Sequence, residues 1–363
     1  MKNIFRIIMV ILNILAAIAL ILSCLCCFVN PKTIWWIGFF GLPYLYFLAA
    51  NIFFVGFWIF SHKKKFVAIS LISILIGWPF IGRNVQFSQK KIPAEELDKS
   101  IKVISFNVQG FEKRNAVQPD GKNLNLFDFL REEDADIICL QEYGPNQWKK
   151  DDLKEENIRK HLNKTPFYHS ELTMEHYGVA IFSKYPIIHK ELIYTDNTTN
   201  ACICSDLLIG NDTVRIYNIH LKSVGFHHDE KHLLNNVVKK EYGRSDVRMV
   251  KSMIRQMSVS SFKRAKQVEI LLSHVAQSPY PVIICGDFND PPMSYSYQQV
   301  RGNRKDAFVE AGSGRSATYR IGRIASLRID FILCPDVFEV YDYESPHVVL
   351  SDHFPVMCRM VKK

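Results

Sequence analysis

The first 91 residues contain no aspartate or glutamate, yet they carry nine basic residues: Lys2, Arg6, Lys32, Lys63, Lys64, Lys65, Arg83, Lys90 and Lys91. Of the 45 lysines and arginines in the chain, 36 therefore fall in positions 92–363, together with all 36 acidic residues. That larger part is formally neutral. The net charge of +9 belongs to the N-terminal stretch, and bulk charge is excluded as an argument for nucleic-acid binding. A disulfide framework is also missing. Cys24, Cys26 and Cys27 sit inside an apolar run, and Cys139, Cys285, Cys334 and Cys358 lie in short apolar stretches where a thiol acts as a small hydrophobe. Cys202 and Cys204 have strand-like i, i+2 spacing, and no paired His/Cys set follows them as a zinc motif requires. No small-residue cleavage site follows the first apolar run, which reads poorly as a secretory signal for that reason.

What is present at the N-terminus is apolar. Three runs open the chain, at Ile4–Phe28, Ile34–Phe60 and Phe66–Ile81. The first two reach the roughly 20 residues needed to cross a bilayer, and the third is shorter and ends at Trp78-Pro79. Trp35 and Trp36 suit an interfacial aromatic belt. Residues 1–85 are thus expected to form three transmembrane helices, with the lipid bilayer as their partner. The compact Lys63-Lys64-Lys65 cluster, on the same side as Lys2 and Arg6, favours a cytoplasmic N-terminus. Residues beyond the third span then lie outside the cytoplasm, as in an integral protein of a bacterial inner membrane.

Residues 86–100 are polar, contain Pro93 and read as a linker. From Ile101 the texture changes. Strand-length runs rich in Val, Ile and Phe occur at Ile101–Val108, Asp136–Gln141, Val179–Phe182, Val214–Leu221, Val282–Cys285, Ile329–Leu333 and Val356–Met360. Helical patterns fall between some of them, at Leu124–Glu133 and Phe262–Val275. The mixture predicts an α/β domain over 101–363 with a buried sheet core. Within it, Ser223–Lys266 holds ten basic and four acidic residues. It reads either as a solvated helical excursion or as a positive rim that attracts a phosphorylated substrate or anionic headgroups.

Polar residues recur at the ends of these strands: Ser105-Phe106-Asn107-Val108, Leu140-Gln141-Glu142, Asn218-Ile219-His220-Leu221, Gly286-Asp287-Phe288-Asn289, Arg328-Ile329-Asp330-Phe331 and Ser351-Asp352-His353-Phe354-Pro355. Each alone has an ordinary structural explanation, such as an ion pair for Glu142, a satisfied core histidine for His220 or a turn initiator for Asp287. Together and in this order they resemble the endonuclease/exonuclease/phosphatase superfamily, over about Ile101 to Met360. Gly286-Asp287-Phe288-Asn289 and Ser351-Asp352-His353-Phe354-Pro355 are the specific signatures, and Tyr177 to Ser183 is similar to the family's central strand.

The resemblance implies two packed β-sheets flanked by helices, a four-layer α/β sandwich with its site at one end. It implies a metal-dependent hydrolase acting on phosphoester bonds, with Mg²⁺ or Mn²⁺ as cofactor, since hard ions suit carboxylate and amide oxygens. Glu142 is the implied principal metal ligand, with Asn107 beside it and Asp352 completing the set. Asp287 would orient or deprotonate the attacking water, and Asn289 would hydrogen-bond that water or a phosphate oxygen. His353, oriented by Asp330, and His220 would contact the phosphoryl group, with Tyr177 as a further donor to it.

The Gly-Asp-Phe-Asn-Asp-Pro form looks like the nuclease and general phosphodiesterase branches. The Trp-x-Gly-Asp and Cys-Asp-Arg patterns of the inositol-phosphatase branch are absent. Nucleic acid is therefore one expected substrate. A phospholipid or sphingolipid headgroup is its rival because of the membrane segment, and phosphomonoester hydrolysis is a further alternative. A catalytically silent, membrane-anchored binding or scaffold protein is the alternative of another class. No pattern points to a protein partner.

Overall fold

Strand formation follows the apolar runs. In Ile101–Asn107 and Val282–Asp287 nearly every side chain is buried, as expected for interior strands covered on both faces. The computed structural model describes residues 2–145, 151–173, 176–195, 199–225, 244–321 and 325–363. These divide into two compact units: residues 1–85 with 290–300, and residues 86–289 with 301–363.

The larger unit contains two six-stranded sheets. The first runs in the order Phe338–Glu344, Val356–Lys362, Ile101–Asn107, Ile137–Tyr143, Gly178–Ser183, Phe167–Leu172. The second runs Lys305–Asp306, Asp330–Cys334, Val282–Asp287, Asp212–His220, Ala201–Ile209, Ile187–Thr195. Val103, Ile137, Ile181 and Val356 of the first sheet share one buried cluster with Ile203, Ile216, Ile283 and Ile332 of the second, so the sheets pack face to face. On the outer face of the first sheet, Phe106, Leu140 and Phe182 pack with Leu126, Phe127 and Leu130 of the helix Leu126–Glu133. That helix begins two residues later than its apolar pattern suggests. Asn125 caps it, its side chain accepting from the amides of Phe127 and Asp128 at 2.8 and 3.2 Å. Helix Arg244–Val275 buries Ala265, Val268 and Leu271 and meets the second sheet at its last turn. The expected four-layer α/β sandwich is the observed one.

Every expected strand is present, within two residues at either end. Among the described residues nine more were not expected: five of two or three residues, and the longer Phe167–Leu172, Ile187–Thr195, Ala201–Ile209 and Phe338–Glu344. Ile187–Thr195 lies at a sheet edge and alternates irregularly between exposed and half-buried positions, so its pattern is weak. The expected linker is ordered. Gln86 bridges to Gly314, Ala94–Lys99 form a 3-10 helix, and the stretch belongs to the larger unit. Of the basic excursion, residues 226–243, including Lys231, Lys239 and Lys240, lie outside the described residues.

In the smaller unit, helices cover Lys2–Leu25, Tyr44–Phe60 and Val67–Ile81. Two helical stretches, Asn3–Leu25 and Lys64–Ile81, are long and apolar enough to cross a membrane by length and composition. This corrects the expected ranking. The second run is interrupted, because a 3-10 turn covers Trp35–Phe40 and the α-helix restarts only after Pro43. Proline has no amide hydrogen to donate, so it starts the helix rather than continuing one, and 17 residues remain. The third run is lengthened by the turn at Lys64–Phe66. The helices are joined by buried polar contacts: Asn13 with Ser70, Ser73 Oγ donating to Asn51 Oδ1 at 2.9 Å, and Tyr44 OH donating to the Gly77 carbonyl at 2.9 Å. Met293 is buried in this unit against Leu20, Cys26, Ile37, Tyr44 and Phe80.

Candidate active site

Strand register delivers the polar residues to one place. Val282–Asp287 lies parallel to Asp212–His220 with Asp287 opposite His220, and antiparallel to Asp330–Cys334 with Asp287 opposite Asp330. His220, Asp287 and Asp330 thus stand in one row. In the other sheet Ile101–Asn107 is parallel to Ile137–Tyr143, with Asn107 opposite Gln141, so Asn107 and Glu142 end adjacent strands. Parallel neighbours end on the same side, and that is why residues far apart in sequence converge.

The two sheets are locked together behind the site. Gln141 Nε2 donates to Asn218 Oδ1 at 2.6 Å, and Asn218 Nδ2 donates to the carbonyls of Leu140 and Ala180 at 2.9 and 2.8 Å, all fully buried. Asn107 Nδ2 then bridges the sheets at the site itself, donating to Glu142 Oε1 at 3.2 Å and to Asp287 Oδ2 at 3.1 Å.

Asp287 is buried and central. It accepts the Asn289 amide at 2.8 Å and Asn289 Nδ2 at 3.2 Å, and His353 Nε2 and His220 Nε2 each lie 3.6 Å from its Oδ2. Burial pushes its carboxyl up to about 6, with Asp330 adding to the rise and the two histidines and the Asn289 amide opposing it. His353 Nδ1 lies 3.0 Å from Asp330 Oδ2. Burial alone would lower this imidazole, but the charges of Asp330, Asp287 and Asp352 and the Asp330 hydrogen bond outweigh it and push it up to about 10. His353 is therefore an imidazolium at neutral pH, with Nδ1 held and Nε2 turned to Asp287.

Asp287, Asp330 and His353 bring their ligand-type atoms within 4.8 Å of one another, with Asp330 holding Nδ1 of His353 and leaving Nε2 facing Asp287. His220 Nδ1 donates to the Thr199 carbonyl at 2.9 Å, leaving Nε2 the acceptor in the neutral ring. That buried Nε2 has no hydrogen-bond partner among the described residues, and neither has Asp330 Oδ1. Two orphaned polar atoms within one cluster are a cost that a bound ligand or ion would remove.

The backbone is bent to aim these groups. Glu142 and Asn289, neither a glycine, have φ of +49° and +50°. Such conformations cost about 1–2 kcal/mol and persist at functional sites. Gly286 has φ +144°, and a Cβ there would run into the Ile219 carbonyl.

Of the expected site residues, Asn107, Glu142, His220, Asp287, Asn289, Asp330 and His353 form one connected cluster. Asp352 is half-buried, accepts from Ser351 Oγ at 3.3 Å, and acts on His353 through its charge. The Tyr177 ring lies against Gly110, three residues beyond Asn107. Two residues were missed. Thr318 Oγ1 accepts the amides of Ile329 and Asp330 at 3.0 and 3.1 Å, which positions Asp330. The Tyr319 ring packs against His353 with centroids 4.7 Å apart and planes tilted by 42°, and its phenol is pushed up to about 12 by burial and by the charges of Asp352, Asp287 and Glu142. Thr318 precedes and Tyr319 opens the strand Tyr319–Ile321, whose three residues are too few to show a period. The only signal was a β-prone Thr-Tyr pair after a glycine-containing turn.

The Endonuclease/Exonuclease/phosphatase family profile matches residues 104–353, and residues 5–84 match a domain of unknown function, DUF8431. The chain belongs to the endonuclease/exonuclease/phosphatase family. No curated protein matches the sequence. Among solved structures, an endonuclease/exonuclease/phosphatase from Beutenbergia cavernae DSM 12333 is similar with TM-score 0.50 and 17% identity, covering 73% of this chain and 72% of its own. A humanized D. rerio TDP2 carrying 14 mutations is similar with TM-score 0.50 and 14% identity, covering 72% of this chain and 99% of its own. At such identities the likeness is one of fold.

Proposed function

We propose that this protein is a membrane-anchored, divalent-metal-dependent phosphoesterase that hydrolyses phosphodiester bonds. The observation that carries the reading is the cluster of Glu142, Asn107, Asp287, His220 and the Asp330–His353 pair at one end of the packed sheets, with the buried His220 Nε2 lacking a hydrogen-bond partner among the described residues.

Carboxylate and amide oxygens of Glu142, Asn107 and Asp352 suit a hard divalent ion, Mg²⁺ or Mn²⁺. When bound, it would neutralise the non-bridging phosphate oxygens and the leaving oxygen. The chain's own groups supply the rest. Asp287, raised toward the working range of a base but still ionised at neutral pH, orients an attacking water and accepts its proton. Asn289, fixed by Asp287 and the Leu221 carbonyl, holds that water in line. The His353 imidazolium stabilises charge developing on the phosphoryl oxygens, and Asp330 keeps it protonated and oriented. His220 reaches the same oxygens from the opposite side, and Tyr319 limits the space beside His353.

Nucleic acid is the favoured substrate class on the Gly-Asp-Phe-Asn-Asp-Pro form, with phospholipid or sphingolipid headgroups second. The long apolar stretches Asn3–Leu25 and Lys64–Ile81 support the anchor; an inner-membrane protein whose catalytic part is extracytoplasmic requires the shorter helix Tyr44–Phe60 to span as well, with Lys63-Lys64-Lys65 on the cytoplasmic side.

The test is hydrolysis by the full chain in detergent with Mg²⁺, Mn²⁺ or EDTA, on a generic phosphodiester, plasmid DNA, RNA and sphingomyelin vesicles. Metal-dependent cleavage is expected, with His353→Ala slower by about 10²–10³. Near-normal turnover by folded His353→Ala would remove the assigned role. Silence on every substrate would favour the scaffold alternative.

A further inference from the structure

A second cluster of ligand-type side chains lies away from the site, on the outer face of the second sheet. Glu191 of strand Ile187–Thr195 is directly opposite Cys204 of Ala201–Ile209, and Cys204 is opposite Tyr217 of Asp212–His220. Directly paired residues point to the same face, so these three form one row. The last turn of helix Arg244–Val275 brings His274 over the row. Its Nε2 lies 3.2 Å from Glu191 Oε2, and its Nδ1 lies 2.7 Å from the Tyr217 hydroxyl. His189, two residues before Glu191, places Nε2 3.2 Å from the same carboxylate oxygen. One ligand atom from each of Glu191, Cys204 and His274 lies within 4.8 Å of the other two. Cys204 is a free, fully buried thiol, His274 is half-buried and Glu191 is exposed, so the cluster has a fixed floor and an open mouth.

We propose that Glu191, Cys204 and His274 bind a borderline-soft divalent transition-metal ion, best matched by Zn²⁺, at a site separate from the phosphoesterase centre. Thiolate, imidazole and carboxylate together are a zinc donor set, whereas an all-oxygen set suits Mg²⁺. Tetrahedral bonds of about 2.0–2.1 Å to N and O put neighbouring ligand atoms about 3.3 Å apart, close to the separation already held by Glu191 and His274. Tyr217 engages Nδ1 of His274 and so presents Nε2 to the ion, the arrangement by which an outer partner fixes a histidine ligand. Coordination releases the thiol proton of Cys204 to solvent. His189 stands beside the fourth position, which it or a water fills. The ligands come from two strands and a helix and have no motif spacing in sequence, which explains why the region around Cys202 and Cys204 does not read as a zinc site. The bound ion ties the end of the long helix to the edge strand Ile187–Thr195.

The experiment is a Co²⁺ titration of the metal-stripped full chain in detergent, read by absorption, so it is independent of hydrolytic activity. A near-ultraviolet thiolate-to-cobalt charge-transfer band is expected in the wild type, displaced by stoichiometric Zn²⁺ and unchanged in Glu142→Gln. Cys204→Ser abolishes the band, and His274→Gln weakens cobalt binding by about 10–100-fold. A wild type without the band, or a band that persists in Cys204→Ser, overturns the proposal. Should Cys204→Ser fail to fold, undiminished cobalt affinity in folded His274→Gln overturns it instead.

Discussion

His353 and His169 are both buried histidines, and they titrate in opposite directions because of what lies beside them. His353 faces three carboxylates and is held charged. His169 hydrogen-bonds through Nδ1 to Ser205 Oγ at 2.9 Å, and burial above all, with Lys190 nearby, pushes it down from 6.5 to about 4. A histidine that must stay neutral in the fold contributes stability that is complete above about pH 6.5 and lost as pH falls toward 4, since the unfolded chain takes up the proton first. The denaturation midpoint should therefore drop between pH 7 and 4.5, and His169→Gln should flatten that part of the profile. An unchanged acid slope in the variant would show that other groups govern it.

At the scale of the element, the position of Asn218 on its strand matters more than its polarity. It points into the interface between sheets, and its amide joins two strands of the opposite sheet while its oxygen receives Gln141. Asn218→Leu removes three buried hydrogen bonds and leaves the Gln141 amide a donor without that acceptor. A loss of about 2–3 kcal/mol in urea unfolding is expected, with reduced turnover because His220 is two residues along the same strand. A loss under about 0.5 kcal/mol would mean the interface repacks without it.

The whole molecule divides at an unexpected place. Asp290–Val300 follows Asn289 directly in sequence but belongs to the N-terminal unit, where Met293 is buried and its carbonyl accepts from Cys26 Sγ at 2.8 Å, while Asn30 Nδ2 donates to Tyr295 OH at 3.2 Å. A chain beginning at residue 86 lacks every one of those partners. Limited proteolysis should then cut within 290–300 far faster than in the full chain, and turnover should fall with it because the cut lies beside Asp287 and Asn289. Equal resistance in both proteins would show that this segment holds its conformation unaided.

Much of this protein is legible in one dimension, where the physics is local. Buried strands announce themselves as Val, Ile and Phe runs, and Gly286-Asp287-Phe288-Asn289 and Ser351-Asp352-His353 carry their chemistry in contiguous residues that point to the family. Pro43 was equally readable, since a missing amide hydrogen interrupts a helix whatever surrounds it, although the length of the apolar run masked it. The rest depends on residues that meet only after folding. The Asp330–His353 pair was implied by the family resemblance, but that Asp287 stands opposite both His220 and Asp330 follows from ladder register, and that Thr318 holds Asp330 leaves no trace in spacing. Tyr319, the Gln141–Asn218 link and the Glu191–Cys204–His274 cluster are juxtapositions of the same kind, set by how strands and a helix stack. Met293 entered the N-terminal unit because an isolated apolar side chain takes whichever core the chain brings to it, and that choice is made by packing in three dimensions.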